Sequence, residues 1–156
     1  MALTEEDTTK IHIAAHLHDI GKIGVPDAIL NKKGALTDEE FCFIKKHPII
    51  GAEILGKSHK LSELSDIVLL HHERFDGKGY PMGKAGEEIP VGARIIAICD
   101  SIDAITSDRC YRKPHDFEYC YQEIAKNLGK MYDPVIGKSV LENWDEITSV
   151  VRKQEQ

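Results

Sequence analysis

The run from Pro90 through Val91-Gly92-Ala93-Arg94-Ile95-Ile96-Ala97-Ile98-Cys99 constrains the fold more than any other part of this chain. A short β-branched stretch also suits a buried strand, and periodicity alone does not separate the two readings. Length separates them. Val91, Ile95, Ile98, Ile102 and Ile105 recur at helical spacing for four turns, and Pro90 suits a first helical turn. A second stripe, Ala93, Ile96, Ala97, Asp100 and Ala104, makes the helix apolar on two sides and places Asp100 inside one of them.

The rest of the chain reads as further helices. Thr4 with Asp7 marks a helix start that runs through His18, leaving His18 and Asp19 at its C-terminal end. Gly21 and Gly24 open a loop to about Gly34, which Pro26 keeps from continuing as helix. The capping box T-D-E-E from Thr37 to Glu40 launches a helix toward His47, and Pro48 bends or restarts it into 49–55. Ser62 to His72 reads as one helix with Leu64, Ile67, Val68 and His71 on its apolar face. Asp116 to about Leu128 is stopped by Gly129, and Asp133 caps a helix from Pro134. The fold class is all-α.

The 156 residues, 42% of them hydrophobic, suffice for one core, read as a domain over 1–152 with a polar tail over 153–156. A net charge of −6 speaks against a DNA or RNA binder that blankets phosphates with basic side chains, and leaves a small anionic substrate held by metal ions compatible. Cys42, Cys99, Cys110 and Cys120 form no Cys-x-x-Cys pair and read as reduced thiols of a cytoplasmic protein. No apolar run is long enough to cross a bilayer, so no membrane contact is expected of this chain.

The chemistry concentrates in a few side chains. A carboxylate among isoleucines costs several kcal/mol, roughly, unless it is paired or metal-bound, so Asp100 needs a cation. A salt bridge to Arg94 or Arg109, or a turn of the helix that exposes it, serves as well as a metal. His18, Asp19, His47, His71, His72 and Asp100 together supply four imidazoles and two carboxylates, each at a helix end or on an inward face. That mixed set suits iron, manganese, zinc or nickel better than calcium or magnesium. One carboxylate between two groups of imidazoles could bridge two ions, and two ions about 4 Å apart activate a water for in-line attack on phosphorus. Lys22 could add positive charge beside a phosphate, its alternative being a solvated surface lysine.

Two motifs carry a resemblance. His18-Asp19-Ile20-Gly21-Lys22 is similar to an HD-x-G-K segment, and His71-His72-Glu73-Arg74-Phe75-Asp76-Gly77-Lys78-Gly79-Tyr80-Pro81 matches an HHE-x-x-DG-x-GYP signature in full. The chain therefore resembles the HD-GYP family of HD metallophosphohydrolases, helical bundles with a GYP loop whose characteristic members cleave cyclic di-GMP. The resemblance continues through Asp108 and Arg109-Cys110-Tyr111-Arg112-Lys113. It implies metal-ligand roles for His18, Asp19, His47, His71, His72 and Asp100, with Asp19 bridging a di-metal centre of iron or manganese. Lys22 would stand near the scissile phosphate. Tyr80, Arg109 and Arg112 would fall in the substrate region. Implied products are linear pGpG and, in some members, GMP. The GYP loop is also implied in contacts with GGDEF-domain proteins, while Glu73 and Asp76 read as acceptors that hold the loop.

One departure stands out. The family's metal site begins with a further histidine on a preceding helix, whereas the seventeen residues before His18 are filled by the helix leading into it. Neither His12 nor His16 shares the face of His18. The expectation is a fragment of a longer protein in which Asp19, His47, His71 and His72 complete one ion site and His18, Asp19 and Asp100 keep part of the other. Exposed apolar surface would then favour a homodimer. Three functions follow: a cyclic di-GMP phosphodiesterase, a catalytically incomplete regulatory module that binds a GGDEF-type partner, or an HD hydrolase of another cyclic nucleotide.

Overall fold

A computed structural model describes residues 3–107 and 115–154 and places helices throughout them, with no strand among the described residues. They are α1 (Glu5–Leu17), α2 (Asp27–Leu30), α3 (Asp38–Ile44), α4 (His47–Gly56), α5 (Ser65–Leu70), α6 (Val91–Thr106), α7 (Phe117–Lys126), α8 (Pro134–Glu142) and α9 (Trp144–Gln154). Side-chain oxygens set most of the starts. Thr4 with Asp7 and Thr37 with Glu40 form reciprocal capping boxes, and Asp116 and Asp133 accept from the first free amides of α7 and α8.

The helix α6 divides the core in two, which is why it is apolar on both sides. Its Ile98 and Ile102 pack with Cys120 and Ile124 of α7, Ile136 of α8 and Tyr132 between them, and Val91, Ile95 and Ile105 extend that wall. On the other side Ile96 meets Ala14, Leu55 and Val68 from α1, α4 and α5 and Leu64 from the turn before α5, while Ala93 meets Leu70 and Ile89. Each fully buried isoleucine contributes roughly 1.5–3 kcal/mol, so both halves are anchored on one element.

Four local readings change in the structure. The glycine-rich segment after Asp19 is not open loop: Lys22 N–H donates to the Asp19 carbonyl and Val25 N–H to that of Lys22, closing a 3-10 turn over Ile20–Gly24. Ser62–Leu64 is likewise a 3-10 turn, so α5 begins only at Ser65. Pro90, with φ −50° and ψ 141°, is the N-cap of α6 rather than a residue of its first turn. The C-terminal helix α9 reaches Gln154, and its first turn follows α8 after Asn143, with Trp144, Ile147 and Val151 packing on the α6–α8 core. Two residues of the segment read as a tail are thus helical. Cys42 and Cys99 lie at the surface, leaving only Cys120 of the described cysteines as a buried packing residue.

Candidate metal centre

Three helix ends deliver three histidines to one place. His18 and His71 are the C-cap residues of α1 and α5, and His47 follows the end of α3 by three residues. The last carbonyls of a helix lack intrahelical donors. Each imidazole supplies one: Nδ1–H of His18 donates to the Ala15 carbonyl at 2.6 Å, that of His47 to Ile44 at 2.7 Å, and that of His71 to Val68 at 2.6 Å. A carbonyl only accepts, so these bonds assign the proton to Nδ1 and leave the Nε2 lone pair free for a ligand.

Two of these Nε2 atoms face Asp19. Its Oδ1 lies 3.2 Å from Nε2 of His47, while Oδ2 lies 3.4 Å from Nε2 of His18 and 2.5 Å from Nζ of Lys22. One carboxylate therefore spans two imidazoles, one on each oxygen. Nε2 of His47 and Nε2 of His71 stand 3.4 Å apart with both Nδ1 protons already committed. As neutral rings they aim lone pairs at each other, an arrangement that a cation between them relieves. Asp19, His47, His71 and His72 each place a ligand atom within 4.8 Å of the others. Three imidazoles and a carboxylate, with His47 and His71 buried, fit a mid-series divalent metal.

His18 and Asp100 flank this group. Nε2 of His18 is 3.9 Å from Oδ1 of Asp100, and its ring centroid is 5.0 Å from that of His71. Arg94, offered above as a partner for Asp100, instead makes a short ion pair with the N-cap residue Asp133, itself 5% exposed. The reason is angular, because residues six apart on a helix differ by about 240° around its axis. Arg109 and Arg112 lie outside the described residues.

Burial and neighbouring charge set the protonation of the cluster. Desolvation alone would raise the Asp19 carboxyl, yet with no metal on their Nε2 atoms His18 and His47 can carry a second proton there and donate it to Asp19, and these bonds with that from Lys22 outweigh burial and hold the group far below the usual carboxylate range. The bond to Asp19 raises His18 against its own burial. Burial pushes His71 down to about 4 and, with the crowding of other imidazoles making a further positive charge unfavourable, pushes His72 down to about 2. Both therefore stay neutral and ligand-competent well below pH 7.

A pH effect on stability follows for the protein held metal-free by a chelator. The unfolded histidines take up protons near pH 6.5, whereas folded His71 does so only near pH 4 and folded His72 near 2. Below pH 6.5 the unfolded state binds more protons, so stability falls with pH down that window. His18, raised in the fold, works the other way. Two groups against one give an expected drop in the urea midpoint between pH 7 and pH 5, and a flat or rising midpoint would contradict the buried, neutral assignment.

The motif loop after His72 is braced from within. Glu73, 3% exposed, accepts from the backbone N–H groups of Met82 at 2.6 Å and Gly83 at 3.0 Å. Asp76 accepts a fork from Arg74, at 2.9 and 2.7 Å, and the N–H of Lys78 at 3.2 Å. Both carboxylates are thus loop-holding acceptors. Gly77, at φ +75°, needs the left-handed region, whereas Gly79 is required for closeness: a Cβ there would lie 2.4 Å from N of Arg74 and 2.6 Å from the carbonyl O of His72. Sequence reasoning missed Phe41 and Lys45, which meet the Tyr80 ring from α3 and its C-cap. Their spacing of four on one helix, aromatic then cation, was the available signal.

An HD domain family model matches residues 1–136. A cyclic di-GMP phosphodiesterase of Thermotoga maritima is 46% identical over 156 residues, covering 99% of this chain and 42% of that protein. A cyclic di-GMP phosphodiesterase of Pseudomonas aeruginosa is 48% identical over 125 residues, covering 80% of this chain and 30% of that protein. A 3'3'-cGAMP-specific phosphodiesterase of Vibrio cholerae is 37% identical over 150 residues, covering 95% of this chain and 29% of that protein. The chain thus spans less than half the length of these relatives. A crystal structure of a cyclic GMP-AMP specific phosphodiesterase of V. cholerae shares the fold, with a TM-score of 0.69 at 18% identity over 92% of this chain and 39% of that one.

Proposed function

We propose that this chain, which belongs to the HD-GYP branch of the HD domain family, is the hydrolytic part of a metal-dependent phosphodiesterase acting on cyclic di-GMP. The observation that carries the reading is Asp19, whose two oxygens face the Nε2 atoms of two different helix-end histidines. Asp19, His47, His71 and His72 would hold one divalent metal, and His18, Asp19 and Asp100 would contribute to a second. The family resemblance points to iron or manganese, and the mixed nitrogen and oxygen set also suits zinc or nickel. When bound, the metal supplies an activated water at neutral pH and positive charge for the phosphate.

The chain's own residues do the remaining work. Backbone carbonyls hold Nδ1–H of the His18, His47 and His71 rings and so turn each Nε2 toward the ligand position. Lys22, on Oδ2 of Asp19 and 42% exposed, can turn its ammonium toward an incoming phosphate without leaving the site. Arg109 and Arg112 would fork onto phosphate oxygens. The product would be linear pGpG, with further cleavage to GMP as an additional step. We place the reaction in the cytoplasm, in keeping with free thiols at Cys42, Cys99 and Cys120, and no described helix is long and apolar enough to cross a membrane.

The test is hydrolysis of cyclic di-GMP by the full-length protein loaded with iron or manganese, with 3'3'-cGAMP as the competing substrate. Conversion to pGpG that a chelator abolishes is expected. Absence of turnover on either nucleotide, with metal bound, would sink the reading. The cGAMP-specific relatives are the observation behind the second reading, a hydrolase of another cyclic dinucleotide, and faster turnover of 3'3'-cGAMP would select it.

A further inference from the structure

Among the described residues a backbone carbonyl orients three of the four clustered imidazoles and not the fourth. Among the described residues no acceptor holds a ring proton of His72 in the way that Ala15, Ile44 and Val68 hold His18, His47 and His71. Its ring is held through its face instead. Tyr80 stacks on it with centroids 4.8 Å apart and planes 28° apart, and the Tyr80 N–H donates to the His72 carbonyl at 3.3 Å. The chain leaves at His72, closes a loop pinned by Glu73, and returns with Tyr80 over the ring it left. Tyr80 in turn makes a T-shaped contact with Phe41, centroids 6.3 Å apart, with Nζ of Lys45 4.7 Å from the Phe41 centroid and 5.7 Å from that of Tyr80.

We propose that Tyr80 is a positioning residue for His72, orienting by ring stacking the ligand imidazole that no described backbone carbonyl orients. The inference rests on the metal-binding reading above and goes beyond it, because it gives the loop tyrosine a role that does not require substrate. The ring is what matters and the hydroxyl is not. An outer group that orients a ligand imidazole changes metal affinity about 10–100-fold when removed, whereas a residue that only touches substrate leaves metal affinity alone.

The experiment compares Tyr80→Phe, which keeps the ring, with Tyr80→Leu, which removes it. Metal-free protein is titrated with Mn²⁺ or Co²⁺, and the histidine ring signals of the same samples are followed by NMR before metal is added. Tyr80→Phe is expected to match the wild type in both. Tyr80→Leu is expected to bind about 10–100-fold more weakly and to lose the ring-current shift of the His72 signal. Should that variant not fold, Phe41→Ala, at a 41% exposed position, is expected to move both readouts the same way by less. Unchanged metal affinity and an unmoved His72 signal would overturn the inference while leaving the metal reading intact. If the wild type bound no metal, the metal reading would fall, and the NMR comparison would decide the orientation of His72 by itself.

Discussion

Replacing Asp19 with asparagine is expected to lower phosphodiester turnover by at least about 10³-fold, roughly 4 kcal/mol of transition-state stabilisation, while the protein stays folded. Asparagine keeps the shape of the carboxylate, so the contacts at 3.2 Å to His47 and 3.4 Å to His18 remain sterically possible. Its amide can donate to one Nε2 lone pair. What it cannot do is face both imidazoles with an anionic oxygen, nor balance Nζ of Lys22 at 2.5 Å. Asp19 is 36% exposed, so solvent screens its ion pairs and their loss costs little stability, about 1 kcal/mol or less and a melting shift of about 2–4 °C. Turnover, metal stoichiometry and thermal melting measured on the same preparation separate the two effects. Retained turnover would remove Asp19 from the bridging role, and a collapsed melting transition would make it a folding residue.

The elements that position Asp19 differ in how far the sequence announces them. Thr4 with Asp7 and Thr37 with Glu40 are legible because a capping box is a local bond pattern with fixed spacing. The helix α6 is legible because two apolar stripes persist longer than a strand does. Pro90 and the 3-10 turns at Ile20–Gly24 and Ser62–Leu64 are not, since a boundary shifted by one residue, or a bond spanning three residues instead of four over a single turn, leaves the side-chain pattern almost unchanged. The candidate ligands could be gathered by residue type, but not their tautomers: Ala15, Ile44 and Val68 act through backbone carbonyls, which carry no side-chain signal. The pairing of Arg94 with Asp133 was also hidden, because it joins residues 39 positions apart.

The spacing between those helix ends is set by Gly21, and its replacement by alanine is the second large effect expected. A Cβ on Gly21 would stand 1.9 Å from the carbonyl O of His47 and 2.5 Å from N of Gly51, both backbone atoms of α4. Neither can rotate aside. Behind Gly51, the Cγ1 of Val68 already sits 3.0 Å from where a Cβ would be, and Leu55, 2% exposed, fixes the other end of α4 in the core. Relief therefore comes by moving α4, which carries His47, or by lifting the Ile20–Gly24 turn, which follows Asp19 and carries Lys22. Either motion opens the 3.2 Å approach of His47 to Asp19. Overpacking of this kind costs about 1–3 kcal/mol, and contact with backbone on two sides puts Gly21→Ala at about 3. Metal affinity is expected to fall about 100-fold, as it does when the support of a ligand is lost. Gly56→Ala is the control on the same helix: its Cβ would meet only the Oγ of Ser65, at 3.7 Å, so stability should hold or rise by about 0.5–1 kcal/mol. Denaturant midpoints and calorimetric metal titrations of the two variants decide the matter. Wild-type affinity in Gly21→Ala would mean that the 3-10 turn yields without disturbing His47, and that the distance between Asp19 and His47 is held by something other than this contact.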